Sequence, residues 1–210
     1  MPRATPRQKK SPKRYDRAYF ERWYRRGATR VHVGASVARK VRLAVHAAEH
    51  LIERPIRGVL DVGCGEGAWF PHLLRLRPGI RYAGVDSSAY VVRRFGRSRN
   101  LRLSTFGELD RVGLEGRYDL VVCSDVLHYV PAPEIAPGLE ALAARLGGVA
   151  FIEVFTAADS ITGDRRGLHR RAPEWYARAF RRAGLVHCGL CCFVRADFAP
   201  GLTAFERGWR

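Results

Sequence analysis

VLDVGCGEGAW, residues 59–69, decides the fold of this chain. GVLDV (58–62) is a short apolar run entering a glycine cluster, the pattern of a strand buried in a parallel sheet. Gly63, Gly65 and Gly67 stand where that strand turns into a helix, and Cys64 sits between the first two. Glycines at such a turn let the backbone bend tightly and approach a ligand that side chains would exclude. The helix beyond offers free N–H groups. Nineteen residues after Gly67, at the end of the next apolar run IRYAGVD (80–86), stands Asp86. An acid there can accept two hydrogen bonds from a ribose diol.

Gly63, Gly65 and Ala68 also satisfy the loose dinucleotide fingerprint G-x-G-x-x-G/A, a weak signal by itself. Asp61 separates the two readings. It lies two residues before the first glycine, on the end of the strand, facing the same crevice. A carboxylate there repels a pyrophosphate and attracts a ligand that carries an ammonium group and a sulfonium. S-adenosylmethionine is such a ligand.

Working outward, strands alternate with helices. Further strands are expected at 100–106, 118–126 and 149–155, and LVHCGLCCFV (185–194) reads as one long strand or two short ones. Helices are expected at 36–53, 68–76, 87–96 and 134–146, the last closed by Gly147-Gly148, and from Pro173 to a stop at Gly184. This alternation predicts an open α/β sheet with helices on both faces. Before it, Tyr15, Tyr19, Trp23, Phe20 and Tyr24 fall at helical spacing on a short basic helix ending near Gly27. Residues 1–14 hold three prolines, six basic residues and no large apolar side chain, so disorder is expected there. The boundaries are thus a basic tail at 1–14, a helical cap segment at 15–54 and the sheet domain at 55–210.

The 210 residues suit one domain with an arm, since a domain holds roughly 100–200 residues. Apolar residues make up 47%, which excludes a wholly disordered chain. Charges interrupt every apolar stretch before it reaches membrane-spanning length, and MPRATPRQKKSPKR lacks the apolar core of a secretory signal. Five cysteines, an odd number, argue against a secreted disulfide framework, so a cytoplasmic protein is expected. The formal charge is +17, and residues 1–30 supply +9 of it, from eleven Lys or Arg against Asp16 and Glu21. Such an arm fits a solvated tail better than a nucleic-acid grip.

DVGCGEG followed by GVD and then by YDLVVCSDVLHYV resembles the class I S-adenosylmethionine-dependent methyltransferases over roughly residues 57–155. The resemblance implies a Rossmann-like sheet of seven strands, mostly parallel with the last antiparallel. It also implies roles. Asp61 would hold the methionine amino group, and Gly63, Cys64, Gly65 and Gly67 would form the cofactor loop. Asp86 would take the ribose, with Ser87 beside the adenine. In FGEL (106–109), Glu108 falls where the family usually has an Asp contacting adenine, with Leu109 packed nearby; Glu keeps the charge and lengthens the reach. Ser124 and Asp125 would lie where acceptors meet the sulfonium.

Methyl transfer is an in-line displacement on an activated methyl group, so the protein mainly aligns the reactants, with a base only where the acceptor must lose a proton. His128 is the leading candidate base because imidazole titrates near neutrality, with a pocket-shaping role as its alternative. Tyr129 and Asp125 follow it; Tyr15, Tyr19 and Trp69 are expected to wall the pocket. Arg165, Arg166, Arg170 and Arg171 form either an exposed charged loop or a fork for an anionic acceptor. Cys188, Cys191, Cys192 and His187 crowd one strand, whereas structural zinc wants two separated ligand pairs, so no metal is expected. The [DNS]-P-P-[FYW] motif of amino-methylating DNA enzymes, the Pro-Cys nucleophile of cytosine-5 enzymes and the paired-glutamate loop of arginine methyltransferases are all missing. A small-molecule acceptor is the leading expectation. An RNA methyltransferase docking through its basic N-terminus is the alternative, and a non-catalytic binding partner is a third. The oligomeric state is not legible.

Overall fold

A computed structural model describes residues 13–25 and 34–208. The glycine-flanked run becomes β1 (Gly58–Val62), and β2 (Arg81–Asp86) and β3 (Leu101–Leu103) follow on one side of it. β4 (Tyr118–Ser124), β5 (Leu146–Glu153), β6 (Leu185–His187) and β7 (Cys192–Arg195) lie on the other side, giving the order β3-β2-β1-β4-β5-β7-β6 among the described residues. β1 through β5 pair in parallel, while β7 runs antiparallel to both β5 and β6. The order reverses between β1 and β4, and the crevice beyond the strand ends at such a point is where open α/β sheets bind ligands.

Strand alternation assigns residues to two cores. Val59, Leu120, Val122, Val149 and Phe151 face α2 (Gly34–Ile52), α3 (Phe70–Leu76) and α4 (Ala89–Arg99). Leu60, Val121, Ala150 and Ile152 face α5 (Ala132–Arg145) and α6 (Pro173–Arg182). Each fully buried aliphatic side chain contributes about 1.5–3 kcal/mol. α2 buries Val37, Val41, Ala44, Val45 and Ala48 in the first core, so it is a layer of the sheet domain. Only the segment before it is a cap: α1 (Arg17–Phe20), N-capped by Asp16, runs on into a π-helical turn, Glu21–Arg25. Residues 1–12 of the tail expected at 1–14, and the helix end expected at Gly27, lie outside the described residues.

Several expected boundaries move. β3 stops at Leu103 because the chain bends after Ser104, whose N–H makes the last bond to Asp86 O, and Phe106–Arg111 winds into a 3-10 helix. There Phe106 packs onto Gly138 of α5 so closely that a Cβ would sit 2.1 Å from its ring. Gly147-Gly148 does not close α5; both glycines lie within β5, where a Cβ at Gly148 would stand 2.5 Å from Asp119 O. Close strand packing explains that pair better than a helix stop. LVHCGLCCFV is a hairpin of two short strands turned by Leu190 and Cys191 at positive φ.

Candidate active site

A cavity of about 250 Å³ opens at the reversal point. Gly63, Gly65 and Asp86 line it, together with Asp125, Tyr129 and the aromatic side chains of the cap. Gly63 and Gly65 have φ of +73° and +53°, and a Cβ at Gly63 would fall 2.3 Å from Val126 Cγ2. The backbone therefore presents itself bare to the cavity. A Cβ at Gly65 would fall 2.7 Å from the Tyr24 hydroxyl, so the cap lies directly over the glycine loop.

Asp86 braces this loop. Its Oδ2 accepts the Gly65 N–H and its Oδ1 the Ser88 N–H, both at 2.8 Å. Burial pushes its carboxyl up, and the two N–H bonds oppose that. Each carboxylate oxygen has a second lone pair, leaving two acceptor positions for a diol. Ser87 lines the cavity and is exposed.

Asp61 departs from expectation. Alternation puts it on the face of Val59, away from the open crevice, where the Tyr82 hydroxyl donates to its Oδ2 at 2.8 Å. It is 3% exposed and does not line the cavity. Burial pushes its carboxyl up to about 7, with the Tyr82 bond opposing and Asp86 adding to the rise. Cys64 is likewise buried, its thiol pushed well up by burial, and Gly67 packs toward Arg99 outside the cavity lining.

Glu108 is exposed and turned away, accepting from the Thr105 hydroxyl at 3.1 Å and pairing with Arg111 at 3.4 Å. Leu109 is fully buried in the second core. The 3-10 turn directs Ser104, Thr105 and Phe106 to the cavity instead, with Glu134 from the first turn of α5 beside Gly107. Ser124 also turns aside: its hydroxyl donates to Glu153 at 2.6 Å, and Glu153 holds Lys40 at 2.5 Å.

Asp125 leaves β4 with φ of +67°, a left-handed conformation that Asp tolerates, and lines the cavity. His128 is buried, and the Phe155 N–H donates to its Nδ1 at 3.3 Å. The ring proton is therefore on Nε2, 3.4 Å from Asp125 Oδ1. Burial lowers the His128 pKa, partly offset by Asp125. A neutral ring whose lone pair is already engaged is a donor, so His128 does not fit the role of general base. Tyr129 donates its hydroxyl to Asp164 O at 2.5 Å, and burial raises its pKa.

Among the other expected wall residues, Tyr15 and Tyr19 line the cavity, whereas Trp69 is packed in the core 5.7 Å from the Phe151 ring. Three of the four arginines are spent on neighbouring oxygens, while Arg166 stands near enough to Lys13 for its charge to lower that ammonium's pKa. Arg171 donates to Leu127 O, Val130 O and the Tyr176 hydroxyl, Arg170 to Ala157 O and Arg165 to Ile161 O. They tie down a loop. All five cysteines are free thiols.

The charge of the cavity is opposite to that of the chain. Its described lining residues include four carboxylates (Asp86, Asp125, Glu134 and Asp164) and neither Lys nor Arg, and the Lys13 ammonium pairs with Asp164 at that wall, 2.7 Å away. Sequence reading missed Glu134 and Asp164 because neither belongs to a motif; an acid after Pro131 in a first helical turn reads as a helix start. Bare glycine backbone, two unspent acceptors on Asp86 and an acidic wall suit a nucleoside that carries positive charge.

Comparison with known proteins agrees. The methyltransferase domain family matches residues 33–198. A trans-aconitate 2-methyltransferase from Deinococcus radiodurans is 35% identical over 163 residues, 73% of this chain and 60% of that protein. The chain spans 31% and 60% of the lengths of the two curated relatives it matches. The sugar N-methyltransferase of Streptoalloteichus sp. shares the fold at a TM-score of 0.61 and 20% identity, covering 88% of this chain and 90% of that one. The magnesium protoporphyrin IX methyltransferase of Synechocystis, solved with bound SAH, shares it at 0.54 and 19% identity, covering 81% and 86%. SAH is what remains of S-adenosylmethionine once its methyl group is gone. The sheet order, the glycine loop and the family match together make this chain a member of the class I S-adenosylmethionine-dependent methyltransferases.

Proposed function

We propose that this chain moves a methyl group from S-adenosylmethionine to a small-molecule acceptor. One observation carries the reading: in a chain of formal charge +17, four carboxylates line the cavity, and the lysine described at its wall, Lys13, is paired with one of them. RNA is bound through its phosphates, which need cations in contact. A sulfonium nucleoside needs the reverse. The cofactor supplies a methyl group already activated for displacement. The chain supplies placement: Asp86 takes the ribose hydroxyls, the backbone at Gly63 and Gly65 passes beside the nucleoside, and Thr105 and Phe106 stand where Glu108 was expected. The aromatic cap excludes water, and in-line alignment is the main contribution to rate. Asp61 acts indirectly, through the charge it carries behind the loop.

The Deinococcus relative is named for a carboxylate substrate, trans-aconitate. The acidic cavity and the engaged arginines favour a different acceptor charge here. Five free thiols suit the reducing cytoplasm, where we place the activity. No helix among the described residues is long and apolar enough to cross a membrane.

The test is transfer of labelled methyl into fractionated extract, with RNA, protein and small molecules scored separately, alongside calorimetry with S-adenosylmethionine. Label is expected in the small-molecule fraction. Asp86→Ala removes two charge-assisted acceptors, each about 1.5–3 kcal/mol, so cofactor affinity should drop by roughly a hundredfold or more. Label confined to RNA would overturn the reading.

A further inference from the structure

Lys13 does not behave as part of a disordered tail. Its side chain is 10% exposed, and its Nζ lies 2.7 Å from Asp164 Oδ2. Three tyrosine rings surround that ammonium: Tyr129 at 3.6 Å, Tyr15 at 4.8 Å and Tyr19 at 5.1 Å from the ring centroids. A loop closes over the lysine stem, since a Cβ at Gly167 would sit 3.4 Å from Lys13 Cδ. Aromatic faces with a carboxylate behind them form a cation cage, because ring quadrupoles and the negative charge both attract an ammonium. These same rings, with Asp125 and Asp164, wall the cavity that holds the glycine loop.

We propose that this cage is the acceptor subsite, that it takes the ammonium group of an alkylamine, and that Lys13 occupies it as a tethered stand-in until an acceptor displaces it. The proposal rests on the methyl-transfer reading of the same cavity and adds the class of acceptor. The cage binds the cation, whereas displacement needs the neutral amine. Asp164 and Asp125 are the groups placed to accept the proton. Burial already lowers the pKa of the Lys13 ammonium held there, in spite of Asp164. Once its proton has passed to a carboxylate, the amine nitrogen forms the new N–C bond as the C–S bond breaks, and that electron pair stays on sulfur. The proton goes on to solvent. Arg165, Arg170 and Arg171 are tied to backbone carbonyls, and Arg166 is the cation whose charge opposes an ammonium held here.

Displacing a resident lysine lowers apparent affinity by the fraction of molecules in which the cage is closed. The experiment is binding of n-propylammonium to the full chain, followed by NMR and calorimetry, with 1-propanol as the uncharged control. S-adenosylmethionine affinity is measured on the same samples. Lys13→Ala should bind n-propylammonium at least about tenfold more tightly than the parent and leave 1-propanol unbound. Adding Tyr129→Leu or Asp164→Asn to Lys13→Ala should abolish the gain. Equal affinity in parent and Lys13→Ala, or a gain that survives both second substitutions, would overturn the cage. Cofactor binding without ammonium binding defeats the cage and leaves methyl transfer standing. Ammonium binding without cofactor binding keeps the cation site and defeats its assignment to an acceptor.

Discussion

At the scale of single residues, Asp61 and His128 show how burial redirects chemistry. The Asp61 carboxyl ionises near 3.8 when unfolded and near 7 when folded, because burial outweighs the Tyr82 hydrogen bond. Between those values the unfolded chain gives up this proton first, so the group's contribution to stability falls as pH rises from about 4 to about 7. A shift of this size corresponds to a cost on the order of 4 kcal/mol above about pH 7. Asp61→Asn keeps an oxygen for the Tyr82 hydroxyl and removes the ionisation. It should melt higher than the parent at about pH 8, with the gap closing toward about pH 4, while binding S-adenosylmethionine more weakly. Parallel stability curves for the two proteins would refute the assignment. His128→Asn keeps an acceptor for the Phe155 N–H, so kcat should fall by less than about tenfold with the pH profile unchanged. A loss of about a hundredfold or more, with a flattened limb, would restore the ring as a base.

At the scale of elements, the informative contact is α5 against the 3-10 turn. Gly138 lets Phe106 lie on the helix backbone, and Phe106 in turn lines the cavity. Gly138→Ala gains helix propensity of about 1 kcal/mol but forces the ring and its carbonyl away from a Cβ that would stand 2.1 Å and 2.5 Å from them. The expected net result is a loss of about 1–3 kcal/mol by urea unfolding, together with weaker cofactor binding. Stability equal to the parent would mean that the turn is free to move. The same contact explains why β3 is three residues long rather than seven. An edge strand pairs on one side only, and packing Phe106 on α5 outweighs extending the ladder. NLRLSTF carries the apolar and β-branched residues of a strand and no sign of Gly138, 32 residues beyond Phe106.

For the molecule as a whole, charge is separated: a strongly basic chain encloses an acidic cavity. Any binding of RNA to the basic exterior is therefore independent of the cofactor site. Total RNA at about 0.15 M salt should leave the S-adenosylmethionine isotherm unchanged, and whatever RNA is retained should fall off steeply as salt rises. Competition between RNA and the cofactor would place phosphate at the cavity and revive the alternative acceptor.

The local grammar of residues 59–69 and 80–86 determined the sheet, its ligand crevice and the positions of Gly63, Gly65 and Asp86. These depend on backbone conformation and period-2 burial, properties that neighbouring residues impose on each other. Tertiary structure alone decided which carboxylates meet in the cavity. Glu134 and Asp164 come from a helix start and a loop, brought together by folding contacts with no sequence period. It also decided that Asp61 turns to Tyr82, that Glu108 faces solvent, that Arg165, Arg170 and Arg171 brace carbonyls and that Lys13 enters a ring of tyrosines. Where a charged side chain ends up depends on the partners that reach it across the chain, because desolvating a charge is costly unless a partner is already there.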